Sequence, residues 1–171
     1  MLSQKNKNAF SSIEILIMAV TFIVILGFVF KTVNPLEKFK IENDQKRKND
    51  LITVQQTLER FYKVNGRYPK YSNKNLKYRL IRLDDSIADW GESFIPFLEK
   101  LPKDPKTSNY VYFSSLNGQS YFLYASLERG EKDLGTCSNG KACESLTQNE
   151  INIDACGGIC NYGVSSPNVT P

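Results

Sequence analysis

The sequence contains no histidine. That absence excludes Ser-His-Asp triads, Cys-His dyads and His-ligated zinc, and it removes the commonest general base. Carboxylate-only chemistry is left open. Net charge is small, +4 from 22 Lys and Arg against 18 Asp and Glu, and it is scattered. Nothing in the composition therefore argues for a nucleic-acid partner. The sequence also lacks an internal repeat, a glycine-rich phosphate loop, a nucleophile elbow and a basic-aromatic stripe.

What is present is unevenly distributed. The 171 residues suffice for one modest domain and an extra element. The first nine, MLSQKNKNA, carry Lys5 and Lys7 and no acid. An apolar block follows from Phe10 to Phe30, and helix of that length spans about 31 Å, the thickness of a bilayer core. The basic flank belongs on the cytoplasmic side, so the rest of the chain faces outward. A cleaved secretory signal has a shorter apolar core and a small-residue cleavage site, and no such site precedes KTVNPLEKFK. A plain single-span anchor explains everything except Glu14. A carboxylate near the bilayer centre costs ~2.5 kcal/mol or more, less near the end of a span, and it calls for a cationic partner. A cut between Ala9 and Phe10 would supply one, because the new Phe10 amine could pair with Glu14 of a neighbouring subunit.

The stretch KNKNA-FSSIE-ILIMAVTFIVILGF resembles the class III signal of type IV pilins and type II secretion pseudopilins. The resemblance implies cleavage before Phe10 by a prepilin peptidase that also methylates the new amine. It makes Glu14 the assembly residue, four positions along. Ala9 stands where the family usually has Gly. Downstream, FYKVNGRYP resembles the helix end of secretion pseudopilins, and LPKDPKTSNYVYF resembles their step into the sheet. Together these resemblances cover Lys5 to Glu128. They imply a filament subunit, not an enzyme, with copies of itself, the inner membrane, the peptidase and assembly-platform proteins as partners. Secretion, DNA uptake, and adhesion or motility stay open as jobs, and VNGRYP and LPKDP tilt towards a secretion-type major subunit. The alternative is a single-pass anchored extracellular binding domain that never polymerises.

The expected fold class is α+β. A long N-terminal helix, half transmembrane and half amphipathic, packs on a small antiparallel sheet, followed by a disulfide-containing C-terminal loop region. The parts are a leader over 1–9, a membrane or filament-core helix over 10–33, an amphipathic half over 34–66 and a globular head over 67–171. Leu51, Val54, Leu58 and Phe61 fall on one helical stripe. Asn65-Gly66 and Pro69 predict its stop. Pro35 interrupts the pattern; unbroken, helix from Phe10 to Val64 would be about 80 Å long. Residues 71–85 read as irregular, and Trp90 to Lys100 as a short helix. Tyr110–Ser115 and Ser120–Glu128 read as strands joined at Asn117-Gly118. Tyr110, Tyr112, Tyr121 and Tyr124 read as half-buried strand positions rather than a binding face. Glu150–Ala155 is strand-like, and the tail VSSPNVTP reads as disordered or surface-draped.

Cys137, Cys143, Cys156 and Cys160 are even in number, confined to the C-terminal quarter and downstream of an export-like start, which reads as two disulfides. A four-thiolate zinc site is the alternative, but C-x5-C and C-x3-C lack its usual spacing. Three connectivities are open, and the gain from closing longer loops leans towards bonds joining the two clusters. Asp84, Asp85 and Asp89 form an acidic cluster that could hold calcium, as some major pseudopilins do. Its spacing does not match an EF-hand loop, and the expectation is no cofactor and no metal. The processing reading is tested by intact mass or N-terminal sequencing of the exported protein. A mature chain beginning at Phe10 is expected, and any other start sinks it.

Overall fold

The computed structural model describes residues 11–171. The expected processing pair, Ala9 and Phe10, lies outside the described residues. The chain divides into two compact units, with the boundary between Phe39 and Lys40.

The first unit is dominated by α1, Ser12–Val33. Its described side chains are exposed on every face. The Thr21 hydroxyl, the polar interruption of the apolar run, donates to the carbonyls of Ile17 and Met18 at 2.9 Å each, so it adds no unsatisfied donor. Helix is interrupted at Asn34, whose φ is +37°, and α2 (Pro35–Asn65) begins at once. Proline takes the first helical position, where its missing N–H costs nothing. The side chain of Asn34 accepts the Glu37 N–H at 3.4 Å. The interruption expected at Pro35 is thus the start of a second helix.

In the second unit α2 buries Leu51, Val54, Leu58 and Phe61, as their spacing predicts. It ends at Asn65, and Gly66 takes φ +69°. The helix packs on a three-stranded antiparallel sheet in the order β4 (Val111–Ser114), β5 (Tyr121–Ala125), β6 (Tyr162–Ser165). The β4–β5 hairpin closes at Asn117-Gly118. Gly118 has φ +67°, and a Cβ there would meet Arg67 Cβ at 2.9 Å, so both backbone and space demand glycine.

β5 is buried along its whole length, and its two faces enter different clusters. Tyr121, Leu123 and Ala125 join the α2 stripe with Tyr112, Leu80 and Phe94. Phe122 and Tyr124 join Cys143, Leu146, Ile151, Cys156 and Cys160. The C-terminal region, including the short α3 (Glu144–Gln148), is therefore a second layer over the outer face of the sheet. Tyr110, Tyr112, Tyr121 and Tyr124 are fully buried rather than half-buried.

Several expectations are corrected. Residues 71–85 are not irregular throughout: β1 (Tyr71–Ser72) and β2 (Arg79–Ile81) lie among them and form, with β3 (Ile87–Ala88), a second antiparallel sheet around the buried Leu80. Trp90 to Lys100 holds turns and a Phe94–Leu98 bridge, not a helix. Gly91 sits at φ +94° and Pro96 has no N–H to give. Glu150–Ala155 is a turn region, with Ile151 tucked into the outer cluster. The strand is β6 instead, and the tail beyond it is held: Ser166 is buried, and the Ser165 hydroxyl donates to Val169 O at 2.6 Å. Two disulfides are present, but as local rings, Cys137–Cys143 and Cys156–Cys160. Loop length governs the entropy of the unfolded chain and does not decide which thiols meet in the fold. The rings adjoin through a 3.1 Å hydrogen bond from Cys143 N–H to Cys160 O.

Leu58 is 0% exposed at the centre of the inner cluster. Leu58→Ala is expected to cost ~2–5 kcal/mol, read as a lower urea midpoint for the full chain in detergent. An unchanged midpoint would show that the stripe does not carry the head.

Candidate functional site

Glu14 lies in the first turn of α1, exposed. Its Oε2 accepts the Ser11 backbone N–H at 2.8 Å, while its own N–H donates to Ser11 O at 2.9 Å. This is the carboxylate half of a capping box, and an acid there also suits the helix dipole. Glu14 thus has a local use that its spacing alone did not reveal. Among the described residues it forms no ion pair.

The largest concentration of buried charge was missed from the sequence. Arg47 on α2 is 1% exposed. Its Nε and Nη2 donate to the two carboxylate oxygens of Asp104, at 2.7 and 3.3 Å. Its Nη1 reaches Asp44 at 2.9 Å and Glu128 at 3.2 Å. Asp44 accepts in turn the backbone N–H groups of Glu128 and Arg129, at 2.8 and 2.9 Å. One guanidinium therefore joins α2, the LPKDP segment and the exit of β5. A signal for it existed: residues 44, 47, 51, 54, 58 and 61 all fall on the buried stripe, so a charged pair sat in core phase and demanded partners.

Burial alone would lower the Arg47 pKa, but the Asp104 carboxylate, then Asp44 and Glu128, outweigh it and hold the guanidinium charged. Burial would raise the Glu128 carboxyl, yet hydrogen bonds from Lys106, Asn43 and Arg47 keep it below the usual range. Asp133 is lowered by its bond from Lys48, against burial. Both carboxyls are depressed in the fold. Their stabilisation is full above the unfolded-chain pKa and is lost as pH falls through the folded one.

The acidic cluster does not converge. Asp84 accepts from the Ser86 N–H and hydroxyl, and Asp89 pairs with Arg79. Among the described residues no group of three or more His, Cys, Asp or Glu could hold a metal.

The family model for type II secretion system, protein G, matches residues 35–140. The chain belongs to that family. It is a pseudopilin family, structural rather than enzymatic, and it supports a pseudopilus-subunit role in secretion. No curated protein and no solved structure matches the chain. The match in this pseudopilin begins at the first residue of α2 and takes in Arg47, Asp104 and Glu128. Glu14, three of the four cysteines and β6 lie beyond it.

Arg47→Met leaves Asp44 and Asp104 buried without their cation, and is expected to destabilise the head by ~3–5 kcal/mol in urea unfolding of the full chain. A loss under about 1 kcal/mol would place the cluster among ion pairs that contribute little.

Proposed function

We propose that this pseudopilin polymerises through its N-terminal helix into a secretion pseudopilus, after a cut between Ala9 and Phe10. The observation that carries the reading is α1 itself. A helix apolar around its whole circumference is stable only against lipid or other apolar helices, and α1 is exposed on every described face. The inner membrane supplies the first environment, and the α1 helices of neighbouring copies supply the second. The head lies outside the cytoplasm, which suits its two disulfides. The prepilin peptidase and the assembly platform act on the chain between the two states.

In this reading the Glu14 carboxylate pairs with the Phe10 amine of the next copy. The capping bond to Ser11 uses one carboxylate oxygen and leaves the other to face a neighbour. Glu14→Leu removes both the charge and the capping acceptor. Glu14→Gln keeps an acceptor for Ser11 and loses only the charge. Breaking a buried pair commonly costs ~3–5 kcal/mol, and in a filament the cost recurs at each subunit. Neither variant is expected to release filaments on shearing, and both should accumulate in the membrane fraction. Filaments from Glu14→Gln but not Glu14→Leu would make capping the role of Glu14. Normal filaments from both would favour an anchored binding domain that does not polymerise.

A further inference from the structure

The head contains a cavity of about 220 Å³ between β2, the end of β3 and the segment leading into β4, which neither the family nor the assembly reading uses. Two side-chain donors in its walls have no partner: Arg79 Nε and Trp90 Nε1. Both atoms are buried, so bulk water does not satisfy them. Both can only donate, so what completes the site is an acceptor. Their neighbours' charges favour an acidic one. The two acids of the walls are engaged, Asp89 with Arg79 and Asp104 with Arg47. Lys77 and Lys103, also in the walls, are exposed and form no ion pair among the described residues.

We propose that this cavity binds a carboxylate. The carboxylate accepts the Arg79 Nε–H and Trp90 Nε1–H, and Lys77 and Lys103 supply the balancing charge. Arg79 Nη1 also donates to Asp89, and Nη2 to the Lys74 carbonyl. The guanidinium is therefore held in place by protein, and its side chain is 11% exposed. The edge of Trp90 is fixed by a T-shaped contact with Tyr110, ring centroids 5.4 Å apart. Because the two donors are covered, the ligand reaches them only when a wall side chain gives way, and we assign that movement to the exposed Lys103. Its stem lies over Gly91, with Cβ and Cδ 3.6 Å from where a glycine Cβ would stand. The volume is below the ~300 Å³ of pockets for drug-sized ligands, which suits a small acid or the end of a peptide.

Trp90 is the only tryptophan of the chain, so its fluorescence reports on this cavity alone. The full chain in detergent micelles is titrated with succinate, with acetyl-dialanine bearing a free or an amidated terminus, and with inorganic phosphate, against sodium chloride at matched ionic strength. A saturable change is expected with a carboxylate. Saturation by succinate identifies a free acid as ligand; saturation by the free-terminus peptide alone identifies a chain end. The Lys77→Gln/Lys103→Gln double variant, which alters only exposed side chains, should weaken binding roughly tenfold. Lys141→Gln, an exposed lysine outside the cavity, should leave it unchanged. The proposal is overturned if chloride gives the same response, if the amidated peptide or phosphate binds and the carboxylates do not, or if the double variant binds as tightly as the wild type.

Discussion

The head depends on one guanidinium. Arg47 is the point at which α2, the LPKDP segment and the end of β5 meet, and each contributes a carboxylate to it. The hydrophobic effect is non-directional; it brings α2 to the sheet without fixing how far along the sheet it sits. A bidentate contact to Asp104 and a third to Glu128 do fix it, because guanidinium and carboxylate meet in few geometries. Asp44 extends the control to the backbone, where it holds the N–H groups of Glu128 and Arg129 as the chain leaves β5. The same arrangement disfavours alternatives: a helix shifted by one turn would part Arg47 from its bidentate contact with Asp104.

The second constraint is the double burial of β5. A sheet with one solvated face shows alternating apolar and polar residues. β5 reads YFLYA instead, and the alternation is between two cores rather than between core and water. The outer core is short of large aliphatic residues and is completed by Cys143, Cys156 and Cys160. The disulfides close rings of six and four residues' separation, which restrict the unfolded chain little compared with long loops. Their contribution lies in making compact, apolar cover for Phe122 and Tyr124.

The periodic parts of this fold were legible in sequence. The α2 stripe, its stop at Asn65-Gly66, the β4–β5 hairpin and the apolar α1 each repeat a pattern over enough residues to be read. The first small sheet was not legible, since β1 and β3 are two residues each and present no alternation. β6 was missed because Tyr162–Ser165 is half-exposed and contains a glycine; its neighbours in space, not its own residues, make it a strand. The Arg47 cluster shows the same limit. Its phase on α2 was visible, but Asp104 is 57 residues away and only the fold brings it within reach.

The placement of β6 has a consequence for how the head comes into being. Synthesis runs from the N-terminus, yet the strand that closes the edge of β5 follows it only after the whole disulfide region. Gln55 on α2 also donates to the Ser165 carbonyl at 2.9 Å, so the helix too is tied to the end of β6. Until those residues arrive, β5 presents a bare row of N–H and C=O groups along an apolar strand, the kind of edge that recruits other chains. The sheet of the head is therefore complete only once the chain through Ser165 is in place.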